Sequence, residues 1–159
     1  MAAHVFIPVC RGVYRLMSLV EGTIVVMDLD RFSELVEKKS WSEYKPNIIT
    51  GTLTSLIEWF VSKWRAVVVF GLDEERGTEE VVLEIPGVEP EELREDLEHI
   101  RRRIEELGAS ITIVAVKGYV GLKPAKNRRN AYYGTPSRAL AHKLLKKAKR
   151  RGGNIVVIQ

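Results

Sequence analysis

The chain has 159 residues, of which 45% are hydrophobic and 29% charged, and its formal net charge is +4. That much apolar sequence can bury one core, which excludes a disordered chain, and the lone Cys10 excludes an internal disulfide framework. No apolar run reaches the ~18 residues of a membrane helix and no leader is recognisable, so we expect a cytoplasmic protein without a membrane partner.

In the first half of the chain, apolar runs alternate with helical spacing. In order, the pattern predicts a strand at 23–29, helices at 31–39 and 47–64, and strands at 66–70 and 81–85. The strands are short β-branched runs, and the helices carry apolar residues every three or four positions. Residues 71–80 are polar and contain two glycines, which is typical of a long hairpin loop.

In the second half, the pattern predicts a helix at 89–107, a strand at 111–116, a helix at 136–151 and a strand at 155–158. Pro90 and Pro136 stand in first helical turns, and Gly108 and Gly152 follow the last ones. Residues 117–135 are rich in glycine, asparagine and tyrosine and are interpreted as loop.

This order, β-α-α-β-β-α-β-α-β, contains the split βαβ unit of ferredoxin-like folds. We therefore expect an α+β domain with a five-stranded, mainly antiparallel sheet and helices on its faces. Residues 1–22 show no clear period and are predicted to be an N-terminal extension with an extra strand, so that the domain covers residues 23–159.

Charge is unevenly distributed along the chain. No Asp or Glu occurs from Leu107 to Gln159, a stretch with twelve Lys and Arg, whereas residues 73–98 are strongly acidic. Two solvated faces of opposite charge would account for this pattern, and so would a site for a polyanion bridged by a metal ion. The abundance of Glu, Lys and Arg beside a single Gln is typical of heat-adapted proteins.

Right-handed crossovers would bring several charged groups to one sheet edge. Asp28 and Asp30 end the first predicted strand, and the acidic loop with Asp73 and Glu74 begins at the same edge. The last helix returns there with two lysines, Lys146 and Lys149. Carboxylates hold Mg²⁺, which bridges phosphate oxygens, and a lysine neutralises phosphate charge. Ordinary turn chemistry and helix-dipole complementation would explain the same residues.

Three segments in this order, TIVVMDLDRF, VVVFGLDEE and LLKKAKRRGGNIVV, resemble the GGDEF and nucleotidyl-cyclase palm superfamily. The chain resembles a divergent, archaeal-type member of this superfamily. It implies a palm fold and an Mg²⁺ site formed by Asp28, the Leu29 carbonyl and Asp73 or Glu74. By the same likeness, Asp28 and Lys149 are the catalytic pair, with Lys146 and Lys149 on phosphate.

Two departures from the family pattern narrow the implied function. Val36 stands where the family has a guanine-contacting Asn, and the turn after Gly71 is longer than the family's. We therefore do not expect synthesis of cyclic di-GMP. The resemblance still implies a nucleoside-triphosphate partner and, if the chain is an enzyme, cyclisation, hydrolysis or nucleotidyl transfer. A palm without activity, kept for regulation or assembly, is the alternative.

A third hypothesis rests on the predicted loop 117–135, which we place at the opposite edge of the sheet. Its cations and aromatic rings suit single-stranded nucleic acid, through Lys126, Arg128, Arg129 and Tyr132. A solvated loop is the simpler interpretation. No histidine and cysteine spacing indicates zinc.

Overall fold

A computed structural model describes residues 2–9 and 13–159, with side chains from residue 20 onward. This part of the chain forms six strands and five α-helices: β1 (Ala2–Val9), β2 (Val13–Leu29), α1 (Phe32–Lys39), α2 (Ile48–Trp64), β3 (Val67–Phe70), β4 (Glu80–Pro86), α3 (Arg94–Glu106), β5 (Ile111–Val120), α4 (Arg128–Tyr133), α5 (Pro136–Arg150) and β6 (Val156–Ile158). A 3₁₀ turn at Pro90–Leu93 leads into α3.

Five strands form the predicted sheet in the order β3-β4-β2-β5-β6. β2 is antiparallel to both β4 and β5, β3 is antiparallel to β4, and only β5 and β6 run parallel. β1 pairs antiparallel with the first part of β2. The predicted α+β, ferredoxin-like architecture is confirmed.

The two faces of the sheet carry separate hydrophobic clusters. Val25 and Met27 pack against α1, α2 and α3, whereas Ile24 and Val26 pack against α4 and α5. Because successive side chains of a strand point to opposite faces, a central strand covered on both sides is apolar throughout. The same alternation places the side chain of Asp28 on the face that α4 and α5 cover.

The predicted loop at 117–135 contains regular secondary structure. Residues 117–135, expected as loop, contain the end of β5 and the whole of α4. After Val120 the chain does not stay at the far edge: it crosses back beside β3, where the Ala125 amide donates to the Val69 carbonyl at 2.8 Å. This crossing brings α4 to the edge at which β2 ends, and the expectation of an opposite-edge loop is wrong.

At the N-terminus, a strand is present within residues 1–22, and β2 runs without interruption through residue 22. The boundary at residue 22 stays a prediction. None of the helices in the described ranges is long and apolar enough to cross a membrane.

Candidate active site

A lysine from the last helix lies against the end of β2. Lys149 Nζ donates to the Asp28 carboxylate and to the Leu29 carbonyl oxygen, the latter at 3.0 Å. Asp30 Oδ1 lies 3.7 Å from the same nitrogen. The side chains of Lys149 and Asp28 are 26% and 25% exposed. Three oxygens of β2 and its following turn therefore surround one cationic centre that solvent can reach.

Asp30 fixes the turn after α5 against the sheet. Its Oδ1 accepts from the Thr112 hydroxyl at 2.7 Å, and its Oδ2 accepts from the Asn154 amide at 2.8 Å. Gly153, at φ +67°, allows this close approach, because a Cβ there would lie 2.6 Å from Asp30 Oδ2. Asp30 and Gly153 thus anchor the chain after α5 and, one turn earlier, position Lys149.

A second carboxylate stands opposite Asp28 in the antiparallel pairing of β2 with β4: that of Glu80. Arg128 binds it with two hydrogen bonds, of 2.6 and 3.1 Å, and the Tyr132 hydroxyl donates to it at 2.6 Å. Tyr132 is buried, and burial together with the Glu80 charge raises the pKa of its phenol, which therefore stays a donor. α4 thus neutralises and fixes Glu80.

Burial and crowded carboxylates make negative charge costly here. Burial raises the pKa of Asp28 above its ordinary value of 3.8; Lys149 opposes this rise, while Glu80 and Asp30 add to it. Burial, then Glu80, Asp28 and Glu43 likewise raise the pKa of Glu79. A cation that replaced or joined the lysine would relieve this cost.

The two loop acids predicted as metal ligands, Asp73 and Glu74, do not contribute to a shared metal site in the described residues. Asp73 Oδ1 accepts from the Glu75 and Arg76 amides at 3.0 and 2.8 Å, closing the turn of the β3–β4 loop. Glu74 is exposed. In the part of the chain that is described, no three His, Cys, Asp or Glu side chains come together as a metal cluster. The metal roles of Asp73 and Glu74 stay predictions without a shared site.

The donor set at the end of β2 nevertheless fits a magnesium ion. Mg²⁺ in proteins uses one or two carboxylates, and water and phosphate oxygens complete its shell. The Asp28 carboxylate and the Leu29 carbonyl already converge on a positive charge, that of Lys149. The oxygens are therefore arranged for a cation.

The residues predicted to contact nucleic acid or phosphate, apart from Lys149, divide into paired or buried residues and exposed ones. Arg128 is in an ion pair, and Tyr132 is only 1% exposed, so its ring offers no face to a base. Lys126, Arg129 and Lys146 are exposed. Lys146 lies close enough to His142 to lower the pKa of that imidazole, after the larger effect of burial and together with Arg128.

A cavity of about 280 Å³ lies beside the acidic edge, between α1, α2 and the β3–β4 loop. Phe32 and Val36 line it, with Tyr44 and Arg76 at its other side, where the guanidinium lies 5.6 Å from the centre of the tyrosine ring. Glu79 also lines this cavity, and its backbone carbonyl accepts from the Leu29 amide at 3.0 Å. The cavity therefore lies beside the end of β2, the strand that carries Asp28.

Sequence reasoning placed Asp28 and Lys149 at one sheet edge, and the structure brings them into contact. It gave no role to Glu80, and it named Arg128 and Tyr132 only as nucleic-acid-binding residues rather than as partners of Glu80. Glu80 was assigned to the hairpin loop 71–80, one residue before the predicted strand at 81–85, and the sequence does not fix the register that sets it opposite Asp28. Nothing in the sequence around Arg128 and Tyr132 indicates that they contact Glu80.

Comparisons with known proteins support the fold. No protein-family model and no curated protein matches the chain. Among solved structures, it is similar to a bacterial light-regulated adenylyl cyclase, with a TM-score of 0.57 and 15% identity over 83% of this chain and 72% of that one. It is also similar to the FimX GGDEF domain from Pseudomonas aeruginosa, with a TM-score of 0.54 and 16% identity over 88% and 81% of the two chains. The chain therefore has the palm fold that adenylyl cyclase and GGDEF domains share; the archaeal type stays a prediction.

Proposed function

We propose that the chain is a palm domain that binds a nucleoside triphosphate together with Mg²⁺. One observation carries the proposal: the Asp28 carboxylate, the Leu29 carbonyl and the Asp30 carboxylate converge on a single ammonium group, that of Lys149. Folding joins these groups from opposite ends of the domain. Carboxylate and carbonyl oxygens are the ligands that a hard cation such as Mg²⁺ prefers. The ammonium group of a lysine is a cation that binds phosphate.

In this proposal the two charged groups separate when ligand binds. Asp28 and the Leu29 carbonyl would hold the ion, and Lys149 turns from Asp28 to a phosphate oxygen, with Lys146 next to it on α5. The ion would supply charge neutralisation at the phosphates. The aromatic and polar cavity beside Glu79 receives the base. Val36 on its wall brings no hydrogen-bonding group, so selection between bases falls to the other lining residues.

The test is nucleotide binding measured with and without Mg²⁺. ATP, GTP, CTP and UTP are titrated by calorimetry in excess Mg²⁺ and in EDTA, with the full chain. We expect binding of at least one nucleotide to require the metal. Asp28→Asn and Lys149→Met each weaken it by about 30-fold, the loss of one charge-assisted contact of about 2 kcal/mol. Lys39→Met, an exposed lysine on α1, is the matched control and leaves binding unchanged.

A second candidate function is a palm that binds but does not react. Both acids of the β2–β4 pair already have partners: Asp28 is paired with Lys149, and Glu80 is paired with Arg128 and accepts from the Tyr132 hydroxyl. Chromatography of each nucleotide after incubation separates the two functions, because cyclisation, hydrolysis and transfer give different products. Metal-dependent binding without any product favours the regulatory palm. Absence of both binding and product refutes the nucleotide proposal.

A further inference from the structure

A groove lined by cations runs along the outer side of α5, where α4 ends. We call it the α5 groove. Its volume is about 540 Å³, and it is lined by Tyr133, His142, Lys143, Lys146, Lys147 and Arg150. The four cations are exposed. They are spaced i, i+3, i+4 and i+7, which places them in one stripe about 10 Å long on the helix.

No carboxylate neutralises this stripe within the described ranges. Other cations of the chain, such as Arg101, Lys117 and Arg128, are in ion pairs, whereas none of these four is. The sequence from Leu107 onward supplies no Asp or Glu that could lie alongside. Four like charges over so short a distance repel one another, and an anionic polymer that neutralised them would release its own counterions on binding.

An aromatic ring stands at the end of the α4 side of the groove. The Tyr133 side chain is 57% exposed. Its ring meets the His142 imidazole edge-on, with centroids 5.3 Å apart and planes at 88°. His142 is itself buried and stacked on Tyr132 at 4.2 Å, so it is a fixed support. The exposed tyrosine ring is thus held in place beside the cations.

We propose that the α5 groove binds single-stranded nucleic acid, with its four cations on successive phosphates and Tyr133 stacked on a base. An acidic peptide would satisfy the charges but would bring no flat ring for the tyrosine. This surface is different from the loop residues that the sequence suggested, since Tyr132 is buried and Arg128 is paired. It shares Lys146 with the proposed nucleotide site but uses neither Asp28 nor Lys149.

The first measurement is the salt dependence of binding to a labelled ~20-nucleotide uridine RNA, followed by fluorescence anisotropy. Four phosphate contacts predict a slope of log K against log salt of about −2.8, or about 50-fold weaker binding between 50 and 200 mM salt. The double variant Lys143→Gln and Lys147→Gln halves the slope to about −1.4. The matched control, Lys38→Gln with Lys39→Gln on α1, removes the same charge and leaves the slope unchanged.

The second measurement separates nucleic acid from other polyanions. Tyr133→Leu weakens RNA binding about 5- to 150-fold, the range for loss of one stacked base. Tyr119→Leu, at an exposed tyrosine on β5, is the control. Polyglutamate, as a competitor, displaces RNA only at much higher concentration.

Three results would overturn the proposal: no RNA binding at low salt, an unchanged slope in the lysine variant, or equal competition by polyglutamate with no effect of Tyr133→Leu. Lys143→Arg with Lys147→Arg, which keeps the charge, retains the full slope and separates charge loss from misfolding. Asp28→Asn leaves RNA binding intact, so that failure of the nucleotide site and failure of the groove are distinguishable.

Discussion

Replacing Lys149 by Met tests whether the ammonium group compensates the oxygens at the end of β2. Met is close to Lys in length and helix propensity, so α5 itself is unaffected. The variant removes the contacts to the Asp28 carboxylate and to the Leu29 carbonyl, and the weaker attraction of Asp30. Asp28 then remains partly buried beside the carboxylates of Glu80 and Asp30.

The expected cost follows from the exposure of the pair. Breaking a fully buried ion pair costs about 3–5 kcal/mol, and an exposed one less than about 1 kcal/mol. Both side chains here are about one-quarter exposed, which places the loss at about 2–3 kcal/mol. For a chain of 159 residues, this lowers Tm by about 4–12 °C.

A double-mutant cycle shows whether the loss comes from Asp28. Thermal unfolding is followed by circular dichroism near neutral pH in EDTA for the wild type, Lys149→Met, Asp28→Asn and the double variant. Since burial raises the pKa of Asp28, Asp28→Asn removes a charge that the fold disfavours and costs little. In that background Lys149→Met costs less than about 1 kcal/mol. Equal costs of Lys149→Met in both backgrounds would refute the reasoning.

Three further predictions use the same assay. Mg²⁺ at ten times its Kd raises the Tm of Lys149→Met by the equivalent of about 1.4 kcal/mol, and an equal rise when Asp28 is also Asn would contradict this. The pKa of His142 lies below its ordinary value of 6.5 because the imidazole is buried. The unfolded chain therefore binds the proton more readily, and the stability of the fold decreases as the pH falls below 6.5. His142→Gln reduces this decrease, and parallel curves of Tm against pH for the two proteins would exclude a role for His142. Gly153→Ala lowers Tm by at least about 2–4 °C more than Gly87→Ala, because the new Cβ at residue 153 would strike Asp30. Gly87 is the matched control, since it has nearly the same φ, +69°, and a Cβ there would meet nothing within 4 Å. Equal decreases in Tm would show that the contact with Asp30 is unimportant.

The fold was predictable where a segment is long and its neighbours are decided by hydrophobic burial. The apolar run at 23–29 predicts a buried strand, and the structure has it between β4 and β5. The helix α4 was missed because it has six residues, too few for a period, and buries only Ala131 and Tyr132. Its sequence marker is local: Asn127, whose side chain accepts from the Asn130 amide and begins the helix.

The site was predictable as far as strand ends determine it. Asp28 ends a strand and Lys149 ends a helix, so chain direction alone brings them to one edge. The residue that lies opposite Asp28 depends on the register between β2 and β4. Ten residues separate Phe70 from Val81, and the sequence does not fix which of these ten residues pairs with β2. In the structure Asp73 closes the turn of the loop, and a buried hydrogen bond of 2.9 Å between Thr54 and Thr78 ties the loop to α2. Glu80 is then the residue that pairs with Asp28.

Charge balance at this edge predicts that metal and nucleotide bind together. Like charges directly opposite each other destabilise a pair of strands, and here Lys149 and Arg128 offset the charges of Asp28 and Glu80. If Lys149 turns to a phosphate without an incoming ion, Asp28 is left uncompensated, at the cost worked out above for Lys149→Met. Removing Mg²⁺ therefore weakens nucleotide binding by about 30- to 150-fold, equivalent to about 2–3 kcal/mol. Linkage requires nucleotide to tighten Mg²⁺ binding by the same factor. Calorimetric titration of each ligand in the presence of the other measures both factors, and independent binding would exclude an exchange of the ammonium group for the ion.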